Sequence, residues 1–173
     1  DDFIKHAEKQ TGVKWELYQA TDYSGVMNAL IAGQINLAWL SGFSYCQTNM
    51  DSKGGVEPLV AAAEPDGSMG YNAVVVVRTD SPYKTIDDLK GKTVARTDPL
   101  SGSGYLIPTA AFRAMGKPVD EYFKSPLSGG HPQSVLGVLK GTYDAAFTWT
   151  SKNDNIGNLR QMMNKGLLKR EDI

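Results

Sequence analysis

The sequence predicts an α/β protein of two lobes, on three observations. Stretches that read as strands alternate with stretches that read as helices along the whole chain. Asn72 to Thr79 holds an unbroken run of valines, Val74 to Val77, as a strand covered on both faces does. Asp80-Ser81-Pro82 then breaks the chain, and the same alternation resumes beyond it. A crossing between lobes is expected near 77–83, which divides the chain into 1–78 and 79–173.

Each element follows from local pattern. Phe3, Ile4 and Ala7 lie near helical spacing, and Thr11-Gly12 ends that run. Val13 to Tyr18 alternates apolar and polar residues and reads as a strand. Asp22 is placed to cap a helix from Ser24 to Ala32, closed by Gly33. Ile35 to Leu40 reads as a second strand, Phe43 to Met50 as a short helix, and 51–55 as a loop. This order argues for a parallel sheet covered by helices. Val56 to Ala63 is extended, and Pro65 to Gly70 is a turn-rich loop.

Past the break, Thr85 can cap a short helix from Ile86 to Lys90. A strand at 92–97 and a helix at 104–115 follow, the latter tolerating Pro108 in its first turn. Val119 to Phe123 fits either element type. A turn at 128–130 precedes a helix that His131-Pro132 opens and that runs from Gln133 to Lys140, then a strand from Tyr143 to Phe147 and a helix from Asn155 to Asn164.

Composition narrows the chemistry. Across 173 residues the apolar share is 41% and the charged share 21%, ordinary for a globular protein. A net charge of −1 offers no basic field for nucleic acid or an anionic membrane. No apolar run reaches the ~20 residues of a membrane span. Cys46 is the only cysteine, so no internal disulfide can form. With it stand only two histidines, far apart, so zinc ligation is not expected and no metal or cofactor is assigned. The chain starts at Asp1 with no leader peptide in view, and reads as a mature or trimmed piece.

The stretch with most chemistry is Thr97 to Tyr105, Thr-Asp-Pro-Leu-Ser-Gly-Ser-Gly-Tyr, between a strand and a helix. A helix start carries free N–H donors and partial positive charge, and glycines and serines there let an oxyanion approach the backbone. An ordinary link with Ser103 as N-cap is the plainer reading. No Gly-Lys-Ser/Thr ending makes it a nucleotide loop, and the fuller Gly-x-Ser-x-Gly elbow is missing. Two further helix starts, at Asp22-Tyr23-Ser24 and Gly130-His131-Pro132, can face it across a cleft. Tyr23 and Tyr71 would each bring a hydroxyl and an apolar wall, or else serve as surface and core residues. His131 is either a ligand contact or a residue bonding its own helix start, and Asp98 and Asp144 can be purely structural.

These residues resemble a known family. Asp22 to Val26, Ala32-Gly33, Asp66 to Tyr71, Asp98 to Pro108 and Gly129-Gly130-His131 are similar, in order and spacing, to the periplasmic phosphate/phosphite/phosphonate-binding proteins. The resemblance runs from about 13 to 150, and Ser-x-Ser-Gly-Tyr-Leu-x-Pro is its most specific piece. It implies the type II periplasmic-binding-protein fold, two α/β lobes on a hinge, with a first strand before residue 1 and a return segment after 173. It implies an extracytoplasmic, non-enzymatic, monomeric protein that delivers a small oxyanion to an ABC permease. It also implies that Ser101, Ser103 and the backbone of Gly102 and Gly104 hold the oxyanion, with Tyr23, Tyr71 and His131 completing the shell.

Departures from the family bear on the ligand. Gly102 stands where a Thr is frequent. Phe147-Thr148-Trp149-Thr150 is neutral where members that bind aminoalkyl phosphonates carry acids, which permits a smaller or less polar substituent. Two other readings remain open. One is an oxyanion sensor taking arsenite through Cys46, which otherwise is expected to be a buried apolar residue. The other is a serine hydrolase using Ser103, His131 and Asp98 or Asp144.

Overall fold

A computed structural model describes residues 2–63 and 67–173. Its centre is a mixed sheet of three strands: β1 (Tyr71–Val77), β2 (Val94–Ala95) and β3 (Ala145–Ser151), in spatial order β1-β3-β2. β1 runs antiparallel to β3, from Tyr71 opposite Ser151 to Val77 opposite Ala145. β2 runs parallel to β3, and parallel bridges from Thr93 to Lys124 and from Arg96 to Leu127 extend it outward. The parallel sheet expected from residues 2–50 does not form there; the sheet lies beyond them and is mixed, with the valine strand antiparallel at an edge. Its side chains still find cover on both faces, as the valine run implies. Val76 joins Ala95, Ala146, Val135, Val138 and Met162 in one core cluster. Val75 and Val77 pack against the other, around Val94, Leu89, Phe112, Phe123 and Phe147. Ring contacts of 5.1 Å between Phe112 and Phe123 and 5.7 Å between Phe112 and Phe147 bind that second cluster edge to face.

The helices keep close to their sequence signals. α1 (Asp2–Thr11) stops at Gly12, whose φ of 68° suits a residue without Cβ. α2 (Tyr23–Ile31) is capped by Asp22, which accepts the Gly25 N–H at 2.8 Å. α3 (Gly42–Asp51) has a capping box in which Ser41 and Ser44 each accept the other's backbone N–H. α2 packs on α3, and α3 packs on the turn at 102–106.

Beyond the sheet's first strand, a 3₁₀ turn at Asp87–Leu89 replaces the expected short helix, with Thr85 and Asp88 capping reciprocally. α4 (Ile107–Ala114) is preceded by one turn of π-helix, Gly102–Leu106. α5 (Val119–Tyr122) resolves the ambiguous stretch as a single helical turn. α6 (His131–Leu139) opens at His131-Pro132, as expected. α7 (Asn158–Asn164) starts later than expected, because Asn155 and Ile156 instead donate their N–H groups to Ser151 Oγ, at 3.1 Å each. α6 and α7 pack on β3 and on each other.

Three expectations fail in the first half. Residues 13–18, 35–40 and 56–63 carry strand-like patterns, yet none belongs to a strand. A strand needs a neighbour to receive its N–H and C=O groups, and among the described residues these stretches have none. Many of their apolar side chains stay outside, with Trp39 72% and Val60 85% exposed. In the loop expected at 65–70, Pro65 and Asp66 fall outside the described residues, while Gly67 takes a φ of 81°.

Candidate functional site

The turn after β2 is built by its own polar atoms. Asp98 Oδ1 accepts the Leu100 N–H at 2.8 Å and the Asp98 carbonyl accepts Ser101 N–H at 2.9 Å. Ser101 Oγ accepts the Gly104 N–H at 3.1 Å, so Ser101, not Ser103, caps the helix. The Leu106 N–H reaches back to the Ser101 carbonyl at 3.1 Å, the five-residue step of a π-turn. Such single turns widen the backbone, and here the widening falls on Gly102-Ser103-Gly104. Gly104 is required by packing: a Cβ there would sit 2.0 Å from Thr97 Oγ1. Beneath the turn the buried Arg96 guanidinium lies 4.4 Å from the Tyr105 ring centroid and pairs with Asp120.

Around this turn the other candidate residues gather. A Cβ on Gly102 would lie 3.2 Å from the Tyr71 hydroxyl, so the glycine makes room for Tyr71. The Tyr71 ring rests edge-on against Trp149 of β3, with centroids 5.4 Å apart. Tyr23 opens α2 and brings its phenol to Ser101. Burial raises the Tyr23 pKa; the Ser101 hydroxyl bonded to the phenol works against that, and Asp98 and Tyr71 add to the rise. His131, first residue of α6, places Nε2 3.3 Å from Ser101 Oγ. Its Nδ1 lies 3.2 Å from Thr148 Oγ1, which also accepts the Asn158 side-chain N–H at 3.1 Å. Burial pulls the His131 pKa down to about 4, so the ring is neutral near pH 7.

Tyr23, Tyr71, Ser101, Gly102, Gly104 and His131 thus form one cluster at the carboxyl end of β2, at the start of a helix. Ser103 is buried in the same turn and has no side-chain hydrogen bond among the described residues. Thr148 and Asn158 belong to the cluster; the sequence points to Thr148 only within the neutral stretch 147–150 and not as a partner of His131, and to Asn158 not at all. Alternation along β3 puts Thr148 on the same face as Ala146, toward α6, and that was the one available signal.

Other candidates fall elsewhere. Asp144 accepts the Tyr83 hydroxyl at 2.7 Å and the Thr93 N–H at 2.9 Å, at the far end of β2. Thr148, not a carboxylate, holds the ring of His131. Ser101, not Ser103, stands beside that ring. Cys46 is exposed on α3, not buried as expected, because α3 turns Ser44 and Thr48 inward. A cavity of about 410 Å³ between Arg78–Asp80 and Glu171–Asp172 lies away from the cluster, and Asp80 neutralises its Arg78 through two bonds of 2.7 and 2.8 Å.

The cluster offers hydroxyls, backbone N–H groups and a neutral imidazole. Such a set suits a small oxyanion held by oriented dipoles. Comparison with known proteins agrees with that chemistry. Residues 1–167 match the family described as "ABC transporter, phosphonate, periplasmic substrate-binding protein". The chain is 34% identical to the phosphate-import protein PhnD of Mycolicibacterium smegmatis, over 98% of this chain and 54% of that protein. It is 31% identical to the phosphonates-binding periplasmic protein of Escherichia coli, over 91% of this chain and 46% of that one. It therefore spans about half the length of the curated relatives it matches.

Among solved structures, a binding-protein component of an ABC phosphonate transporter from Pseudomonas aeruginosa superposes with a TM-score of 0.75 at 25% identity, over 86% of this chain and 50% of that one. PhnD1 of Prochlorococcus marinus, in complex with methylphosphonate, shares the fold with a TM-score of 0.69 at 21% identity, over 94% of this chain and 61% of that one. With a type II periplasmic-binding-protein fold and a family match along nearly its whole length, the chain belongs to the periplasmic substrate-binding proteins of ABC phosphonate transporters.

Proposed function

We propose that this chain is the ligand-capturing part of an extracytoplasmic solute-binding protein. It takes up phosphonate, phosphite or a related small oxyanion between lobes 1–78 and 79–173 and delivers it to an ABC permease. The observation that carries this reading is the meeting of Tyr23, Tyr71, Ser101 and His131 at the π-helical turn. All are neutral donors. Each charge-assisted hydrogen bond to an oxyanion contributes about 1.5–3 kcal/mol, so several of them bind a doubly charged group without a countercharge. The anion contacts come from Ser101, Ser103, Gly102 and Gly104, completed by Tyr23, Tyr71 and His131. Closure of the lobes on the ligand shifts the open–closed population, with no chemical step. The protein acts as a monomer and binds no nucleic acid.

The hydrolase reading finds little footing in the geometry. A histidine with a pKa of about 4 is a poor base for a serine, and Thr148 stands where a carboxylate would orient the ring. The exposed Cys46 lends no separate support to a thiol-based arsenite sensor. Isothermal titration of the purified protein with methylphosphonate, phosphite, phosphate and arsenite tests the proposal. Micromolar or tighter binding of a phosphorus oxyanion is expected, and binding no better than millimolar to all of them would sink it.

A further inference from the structure

The His131 side chain is gripped at both ring nitrogens, and the donor count of its neighbours decides where its proton sits. Asn158 Nδ2 lies 3.1 Å from Thr148 Oγ1 and 3.5 Å from Met162 Sδ. A thioether sulfur only accepts, so the amide nitrogen, not the oxygen, faces this corner. The Thr148 hydroxyl therefore accepts from Asn158. Thr148 is fully buried, and among the described residues its own proton has one hydrogen-bond acceptor, the Nδ1 lone pair of His131 at 3.2 Å. At the other end, Ser101 Oγ accepts the Gly104 N–H at 3.1 Å and stands beside the Tyr23 phenol. Ser101 Oγ also lies 3.3 Å from His131 Nε2 and has a lone pair left to accept a proton from the ring. The Thr148 end places the proton on Nε2, and the Ser101 end accommodates it there.

We propose that Thr148 and Asn158 are positioning residues that hold the imidazole of His131 as its Nε2–H tautomer, so that the ring presents a proton rather than a lone pair to the oxyanion. The opposite tautomer would leave the Thr148 proton buried without an acceptor and aim an imidazole lone pair at the incoming negative charge. The 3.3 Å separation to Ser101 is long for a hydrogen bond, which leaves the Nε2–H free to swing to an anion oxygen. The oxyanion part of this inference rests on the function proposed above; the tautomer does not.

The test is nitrogen-15 NMR of histidine-labelled protein without ligand, with His131 assigned against His6→Gln. Nδ1 is expected in the unprotonated range and Nε2 in the protonated range. Thr148→Val keeps the shape and removes the hydroxyl; it should lose the single tautomer and weaken binding of phosphate, phosphite or methylphosphonate about tenfold. Thr148→Ser should restore both. An Nδ1–H tautomer in the unsubstituted protein, or a Thr148→Val protein that keeps tautomer and affinity, overturns the proposal. The spectrum of the unsubstituted protein decides the matter even where Thr148→Val does not fold. An Nε2–H ring with no binding of these anions overturns the functional reading alone.

Discussion

At the scale of single residues, two glycines in one turn do different work. Gly104 has no room for a side chain, since a Cβ would overlap Thr97 Oγ1 and the rest of the Thr97 side chain. Thr97 is itself fully buried and its hydroxyl has no hydrogen-bond partner among the described residues. It cannot swing away without disturbing the turn. Gly104→Ala is therefore expected to cost about 1–3 kcal/mol of stability, the usual range for overpacking, read as a lower urea midpoint with unchanged slope. Gly102 is less confined. Its missing Cβ would press on the Tyr71 hydroxyl at 3.2 Å, the free end of a half-exposed side chain that can give way. Gly102→Ala should leave the urea midpoint nearly unchanged and weaken oxyanion binding several-fold by displacing that hydroxyl. A large stability loss with intact affinity would show that Tyr71 takes no part in the site.

At the scale of elements, helix starts were legible and the first-half strands were not, and the reason is physical. A cap is a local device. Asp22 reaches Gly25, and Ser41 and Ser44 reach each other, within one turn of chain. Ser41→Ala should therefore remove about 0.5–2 kcal/mol, measured by thermal or urea unfolding, and through α3 it should loosen the turn at 102–106 that α3 touches. An unchanged midpoint would mean that this capping box carries no stability. A strand is not local: the alternation at 13–18 or 35–40 marks a face seeking cover, but the ladder needs a partner that no stretch of pattern supplies. The site divides the same way. Ser101, Tyr23 and His131 could be named because each sits at a helix start. Thr148 could not be named as the partner of His131, because its role follows from the register of β3 against α6, which is set by the packing of Ala146 with Val135 and Val138.

At the scale of the whole molecule, the buried imidazole makes stability depend on pH. The pKa of His131 falls from 6.5 to about 4 because folding desolvates the ring. The unfolded chain takes up the proton near pH 6.5, and the folded protein resists it until about pH 4. Between these values the unfolded state binds more protons, so stability falls as pH falls. It is whole above about 6.5, erodes through the window, and the loss is complete near 4. The loss amounts to at most about 3.5 kcal/mol, from about 1.4 kcal/mol per pKa unit, less whatever solvent still reaches the ring. A second window lies lower. Hydrogen bonds from Thr150 and Arg170 hold Asp154 below the ordinary carboxylate range, so its stabilisation is present above that range and is lost only as pH drops through the depressed value. Urea midpoints at pH 7, 5.5, 4.5 and 3 should therefore decline in two stages. His131→Gln, which cannot titrate, should flatten the first stage and leave the second. If the unsubstituted protein and His131→Gln lose stability in parallel between pH 7 and 4.5, the neutral, buried state of His131 is wrong, and the neutral-donor account of the anion site loses its imidazole.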